Sequence, residues 1–306
     1  MEKLKNDKIK EITDEVFKAH NLIYKSYNPL IHYTNGLGLN GILHSKTLRA
    51  NHVSNLNDLS EILRAYHILV SILDNISTND PNLLLLIEKL KIQLNEKINS
   101  RIFPEIYIVS FSNKDDDLFL WRSYSTFNDA YALVFTKAFL AAYAINDGAV
   151  LLQCVYDERK QFSILEQATQ LFFNKIDLSI SENLQIYLDD YFRLIHLFVP
   201  YIKNSHFIEE NEIRLVLWNP QNLYQENRIK LGLNKGFFHK YVNIKMFRDE
   251  EDTEFEHSLE EIIIGPNSRS QIENNQFKNT LNKLIKENVG CLLKGIRDTK
   301  YNTLKF

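Results

Sequence analysis

The sequence predicts a mixed α+β domain with a mainly antiparallel sheet. Short runs with strand character occur along the whole chain, at 30–34, 106–112, 131–135, 150–156, 212–218, 241–247, 261–264 and 291–296. Segments with apolar residues at helical spacing separate these runs. Because strands at both ends of the chain are separated by helical blocks, we expect a sheet that is assembled from distant segments.

The helical blocks are predicted to surround this sheet. An amphipathic helix is expected within 1–28, ending before Pro29, which disfavours helix in the residue before it. Two helical insertions are expected at 56–100 and 158–205; in the first, Asp58 and Glu61 have capping-box spacing and Pro81 suits a first helical turn. The prediction is therefore a single elaborated α+β domain over 1–306 with peripheral helical insertions.

Composition excludes several classes of protein. The 306 residues include 36 Lys and Arg and 39 Asp and Glu, which gives a net charge of −3. This overall charge neither indicates nor excludes a nucleic-acid partner. No apolar run approaches the roughly 20 residues that span a bilayer, and no signal peptide is evident. Two cysteines offer no disulfide framework. We expect a cytoplasmic protein with no membrane partner.

The first predicted strand carries two polar side chains. His32 and Thr34 alternate with apolar residues, so both point to one face of the strand. A histidine beside a hydroxyl can hold a ribose or an amide. The alternative is a histidine that makes one structural hydrogen bond.

Two serines end the strand at 106–112. Ser110 and Ser112 share a face, with Phe111 on the other. Two hydroxyls at a strand end can brace a residue in a cleft. They can equally cap the turn that follows the strand.

Acidic residues cluster where the strand at 212–218 begins. Period-two alternation places Glu210, Glu212 and Arg214 on one face and apolar residues on the other. Glu212 and Arg214 form either a solvated ion pair or a carboxylate that is pre-organised in a pocket. This cluster is the most site-like feature of the sequence.

Other candidate motifs favour structural roles. His44, His52, Asp58 and Glu61 do not have the spacing of a known metal-binding motif. A helix cap accounts for Asp58 and Glu61, so no metal is predicted. Asp115, Asp116 and Asp117 are expected in a solvated turn or at a helix N-terminus. No phosphate-binding loop or G-x-G-x-x-G motif occurs in the sequence.

Six blocks together resemble the bacterial domain-of-unknown-function family 2971. They cover about Leu30 to Asn267 and match that family in order and spacing. The blocks are His32-Tyr33-Thr34, Leu56-Asn57-Asp58 to Glu61, Ser110-Phe111-Ser112, Asp117 with Trp121 and Tyr124, Glu209-Glu210 to Glu212 and Arg214, and Ile262 to Gly265.

The order His, Ser-x-Ser, Glu-x-Glu is also similar to that of ADP-ribosyltransferases. This resemblance implies an ADP-ribosyltransferase-like sheet, with NAD as the substrate and a protein or nucleic acid as the acceptor. It assigns His32 to the NAD ribose, Thr34 to the nicotinamide side, Ser110 and Ser112 to bracing, Glu210 to the first acid and Glu212 to the catalytic carboxylate. A stacking ring is also required, for which Tyr124 is favoured over Tyr131 and Phe135, and Arg214 or Arg122 could meet the pyrophosphate.

Cleavage of the nicotinamide bond gives an oxocarbenium-like transition state, which a carboxylate stabilises where water is excluded. The expected activity is transfer of ADP-ribose to a macromolecule, as in a toxin or phage-defence effector, with Glu212→Ala inactive but folded. One alternative is a non-catalytic module that binds a nucleotide or nucleic acid in the same cleft. Another is a hydrolase or nuclease that uses Glu210, Glu212 and His32, with or without a metal.

Overall fold

The computed structural model of the protein describes residues 6–24, 28–56, 60–126, 128–136, 149–177, 184–218, 227–234, 237–245, 258–288 and 294–301. In chain order, the helices and strands of these residues are α1 (Asn6–His20), β1 (Leu30–Thr34), α2 (Gly36–Ser45), β2 (Thr47–His52), α3 (Ser60–Asp74), α4 (Pro81–Ser100), β3 (Tyr107–Ser112), α5 (Leu118–Tyr124), β4 (Tyr131–Phe135), β5 (Val150–Gln153), α6 (Glu158–Lys175), α7 (Leu184–Ile195), β6 (Glu212–Leu217), β7 (Ile229–Asn234), β8 (Phe237–Lys245), β9 (Leu259–Ile264), α8 (Gln271–Asn288) and β10 (Gly295–Asp298).

The chain divides into two compact units. Unit 1 comprises Met1–Tyr24, Val53–Ile106 and Leu152–Ile208, and unit 2 comprises Lys25–His52, Tyr107–Leu151 and Glu209–Phe306. The segments predicted as the N-terminal helix and the two helical insertions therefore fall almost entirely into unit 1. Among the described residues, no helix combines the length and apolar character that crossing a membrane requires.

Unit 1 is helical. Helix α3 packs against α4 and α6, and α1 packs against α6 and α7. The ammonium of Lys203 lies 3.2 Å from the Glu61 carboxylate, and both side chains are buried. Glu61 is therefore a partner in a buried ion pair; Asp58, its expected partner in a capping box, lies outside the described residues.

Unit 2 contains the sheet, whose main path runs β10-β9-β4-β1-β3-β2-β8-β7. Strand β6 pairs with β3 along its whole length, and β5, whose first two residues belong to this unit, pairs with β6. Among the strand pairs whose register the described residues show, β9 with β10 is parallel and the others are antiparallel. The mixed α+β class with a mainly antiparallel sheet is confirmed, and the ADP-ribosyltransferase-like type stays a prediction.

Strand β3 is the junction of this sheet. One of its edges is occupied by β6, so β1 and β2 share the other edge. Strand β1 pairs with the C-terminal end of β3, where Ile31 is opposite Ser112. Strand β2 pairs with the N-terminal end of β3, where Asn51 is opposite Ile108. The ends of β1, β3 and β6 are thereby brought together.

Two helices end earlier than predicted. Helix α1 stops at His20 because Asn21 takes a left-handed conformation (φ 51°), and the amide of Leu22 donates to the Phe17 carbonyl at 3.1 Å. This is the pattern of a Schellman motif. In the insertion predicted at 158–205, helix α7 ends at Ile195, and a 3₁₀ turn follows at Val199–Tyr201, where Pro200 lacks an amide hydrogen.

Gly265, directly after β9, marks a close approach of backbone segments. A Cβ there would lie 2.5 Å from the Ala130 Cβ and 2.9 Å from the Trp121 ring. Since these neighbours belong to a buried cluster, we expect Gly265→Ala to lower the free energy of unfolding by about 1–3 kcal/mol through overpacking.

Gly41 in α2 provides the matched control. A Cβ there meets no atom within 4 Å. Gly41→Ala should therefore stabilise the protein by about 0.5–1 kcal/mol through helix propensity. Urea denaturation of both variants measures the difference; a neutral Gly265→Ala would show that this contact is loose.

Candidate active site

His32 is held at the junction of β1 and β3. Its Nδ1 lies 3.0 Å from the carbonyl oxygen of Ser110. Because a carbonyl only accepts, Nδ1 carries the hydrogen and Nε2 is left as an acceptor. Burial lowers the pKa of His32 below 6.5, although the hydrogen bond to Ser110 acts in the opposite sense. At neutral pH, His32 is therefore an uncharged acceptor.

The two serines of β3 act through different atoms. Ser110 holds His32 through its carbonyl group, as described above. The Ser112 hydroxyl donates to the Glu210 carbonyl at 2.8 Å and accepts from the Lys114 amide at 3.1 Å. Ser112 thus caps the turn after β3 and holds the backbone of Glu210, two residues before Glu212.

Strand β6 places Glu212 and Arg214 opposite the two serines. Glu212 pairs with Ser112 and Arg214 pairs with Ser110 in the β3–β6 ladder. The Nε of Arg214 donates to Oε1 of Glu212 at 2.8 Å, and Nη2 donates to Oε2 at 3.0 Å. Glu212 is 3% exposed and Arg214 is 1% exposed. The alternative of a solvated ion pair is therefore wrong, and the pair is a buried, two-pronged one.

A backbone turn sets Glu210 beside Glu212. Glu210 ends a 3₁₀ segment, and Asn211 has a left-handed φ of 42°. The Asn211 side-chain amide donates to the carbonyl oxygen of the Asn113 side chain, so the residue before Glu212 is tied to the residue after Ser112. Sequence reasoning missed both asparagines; the available signal was an asparagine at each strand end, since asparagine tolerates the left-handed region.

These elements enclose a small cavity. Six predicted site residues line it: His32, Ser110, Ser112, Tyr124, Glu210 and Glu212. Apolar or aromatic groups complete the wall, namely Ile31, Tyr33, Phe111 and Leu120. His32 and Glu212, which are far apart in sequence, thus share one cavity. Thr34 and Arg214, both within the described residues, lie outside this lining.

The size of the cavity limits what it can enclose. Its volume is about 70 Å³. Pockets that bury a whole drug-sized ligand measure roughly 300–1,000 Å³. In this conformation the cavity can enclose only a small group, and a larger ligand would extend beyond it.

Tyr33 fixes the loop that leads to Tyr124. Its hydroxyl donates to the Lys114 carbonyl at 2.8 Å and accepts from the Asp117 amide at 3.1 Å. Burial raises the pKa of Tyr33, so its hydroxyl keeps its hydrogen. Asp117 in turn caps α5, accepting from the Phe119 amide at 2.9 Å. The predicted helix N-terminus is confirmed for Asp117.

The prediction of a solvated turn is wrong for Asp116, which is 2% exposed. Burial alone would raise the pKa of this carboxyl, but hydrogen bonds and a nearby guanidinium hold that pKa below its ordinary value of 3.8. The groups responsible are the Lys300 amide, the Thr299 hydroxyl, the Trp121 indole and Arg297. Asp116 therefore anchors α5, and with it Tyr124, to the chain after β10.

The described residues contain no group of three or more His, Cys, Asp and Glu side chains arranged to hold a metal ion.

Comparison of the chain with protein-family models, curated proteins and solved structures finds no match. The resemblances to domain-of-unknown-function family 2971 and to ADP-ribosyltransferases therefore stay predictions, and the site is interpreted from its own geometry.

The buried pair changes what the Glu212→Ala variant is expected to do. Removing the carboxylate takes from the buried Arg214 guanidinium the two hydrogen bonds that it donates to Glu212, which should cost about 3–5 kcal/mol of unfolding free energy. Glu209→Ala is the matched control, because Glu209 is 62% exposed and pairs with Lys114 at the surface. That substitution should cost about 1 kcal/mol or less.

Chemical denaturation of both variants measures these costs. Replacing Glu212 and Arg214 together by leucine should restore part of the loss, because the guanidinium that has lost its contact with Glu212 is then removed as well. Equal stability of the Glu209→Ala and Glu212→Ala variants would contradict the buried pair.

Proposed function

We propose that this protein is an ADP-ribosyltransferase-like enzyme that cleaves the nicotinamide bond of NAD and transfers ADP-ribose to a macromolecular acceptor. The observation that carries the proposal is the convergence of His32, Tyr124, Glu210 and Glu212 on one cavity. These residues come from β1, α5 and the start of β6.

The proposed reaction breaks the bond between C1′ of the ribose and the nicotinamide nitrogen. The bonding electrons leave with nicotinamide, and positive charge develops on the ribose. Glu212 accepts a hydrogen bond from a ribose hydroxyl and stabilises that charge. Arg214 supports this role because its two hydrogen bonds to the carboxylate fix the orientation of Glu212.

The neutral His32 also suits the ribose, because it too can accept a hydrogen bond from a hydroxyl group. Its Nε2 is an acceptor that can take a hydrogen bond from the second ribose hydroxyl. Tyr124 lines the same cavity and is the ring that can stack on nicotinamide. The acceptor nucleophile then attacks C1′ and gives up its proton, which Glu210 can take.

Two assignments differ from those that the resemblance implied. Arg214 is almost fully buried against Glu212, so we assign it to positioning the carboxylate. We therefore expect the pyrophosphate to bind groups outside the cavity. The small volume implies that only the nicotinamide end of NAD enters, with the adenylate half lying outside. Thr34, which also lies outside the lining, is left as a candidate contact for that outer part.

The test is a turnover assay with adenylate-labelled NAD, cell lysate, DNA and RNA. Wild type and a Glu209→Gln control should release nicotinamide and label an acceptor. Glu212→Gln should reduce both by about a hundredfold or more, since one pre-organised electrostatic group is typically worth that much. Glutamine preserves the shape of the side chain, and a thermal melt checks folding before the activities are compared.

Other outcomes separate the alternatives. NAD that binds in calorimetry without turnover would overturn the enzyme proposal and favour a non-catalytic binding module. Phosphodiester or other hydrolysis that is lost to a chelator and restored by Mg²⁺ would instead favour the metal-dependent hydrolase. Transfer that is equally active in Glu212→Gln would remove Glu212 from the mechanism.

A further inference from the structure

A second polar surface lies on the edge strands of the sheet in unit 2. In β2 and β8, alternate residues such as Leu48, Ala50, Val242 and Ile244 are buried. The residues between them lie on the opposite face, where Arg49 pairs with Asn243 and Asn51 pairs with Tyr241. Strand β7 extends this face, since Lys230 pairs with Tyr241 and Gly232 with His239. We call this face the platform; its members are Arg49, Asn51, Lys230, His239, Tyr241 and Asn243.

The strands of the platform carry one sign of charge. No residue of β2, β7 or β8 is Asp or Glu, in a chain whose net charge is −3. Arg49 and Lys230 are exposed on the platform. The sequence just after β8 is acidic, with Asp249, Glu250 and Glu251, so the lack of carboxylates belongs to the strands and not to the composition of the region. Such a surface is complementary to a polyanion.

Planar groups lie side by side on the same surface. The Arg49 guanidinium is 4.7 Å from the centroid of the Tyr241 ring. The ring centroids of Tyr241 and His239 are 5.7 Å apart, with an interplanar angle of 36°. Gly232 allows this arrangement, because a Cβ there would come within 2.7 Å of the His239 ring.

We propose that the platform binds single-stranded nucleic acid. Arg49 and Lys230 contact phosphates, and unstacked bases lie against Tyr241 and His239. Combined cations and stacking rings are how proteins bind single strands with little sequence preference. A sheet surface that carries aromatic rings suits unpaired bases, whereas a duplex hides its base faces. The proposal rests on the platform alone and does not depend on NAD chemistry in the cavity.

The test measures binding of fluorescein-labelled oligothymidylate and oligouridylate of about 12 nucleotides to the full chain by anisotropy. Binding should weaken with salt, with a slope of log K against log salt near −0.7 for each phosphate contacted. A duplex of the same length should bind more weakly than the single strand. A polyglutamate competitor should displace the oligonucleotide poorly, because it offers charge without bases.

Variants separate stacking from charge. Tyr241→Leu should weaken binding about tenfold, and Tyr241→Phe should leave it within about twofold, because phenylalanine keeps the stacking ring. Arg49→Glu combined with Lys230→Glu should weaken binding about tenfold or more and reduce the salt slope. Lys283→Glu is the matched control, since that lysine is 79% exposed and belongs to helix α8, not to a platform strand.

The proposal is overturned if the single strands do not bind at low salt, or if Lys283→Glu weakens binding as much as the platform variants. It is also overturned if a folded Tyr241→Phe protein loses binding as fully as Tyr241→Leu. Preference for polyglutamate would assign the surface to an acidic protein partner instead.

Discussion

The buried pair of Glu212 and Arg214 constrains the site more than any other interaction. Two charges removed from water are tolerated only when each satisfies the other, and here both carboxylate oxygens accept from one guanidinium. The same contact fixes the side chain of Glu212 at the cavity wall. A group that must be immobile for electrostatic stabilisation is therefore held in place by the interaction that makes its burial possible.

Strand β3 connects this pair to the rest of the site. Its carbonyl at Ser110 selects the tautomer of His32, and its hydroxyl at Ser112 holds the backbone of Glu210. Strand β1 pairs with β3 at Ser112, the last residue of β3, so residues near the ends of β1, β3 and β6 surround the cavity. The pairing of these strands therefore determines which side chains line the cavity.

The sequence predicted the strands that supply the cavity because they are short apolar runs with turn residues at their ends, as at Leu30–Thr34 and Tyr107–Ser112. It missed β2 and β7, in which polar residues and Gly232 dilute the strand signal. Alternation placed Glu212 and Arg214 on one face but could not show that this face is buried. Burial depends on pairing between distant segments, and the left-handed conformation of Asn211 depends on its contact with Asn113. Neither feature can therefore be predicted from the neighbouring sequence alone.

The most direct measurement is the ring ¹⁵N spectrum of His32 during a titration with NAD at neutral pH. We expect a neutral ring with its hydrogen on Nδ1, and a shift confined to Nε2 as the ribose hydroxyl binds there. The exposed His44 provides the internal reference and should not move. A charged His32, or NAD binding that shifts His44 and leaves both nitrogens of His32 unchanged, would contradict the assignment of NAD to this cavity.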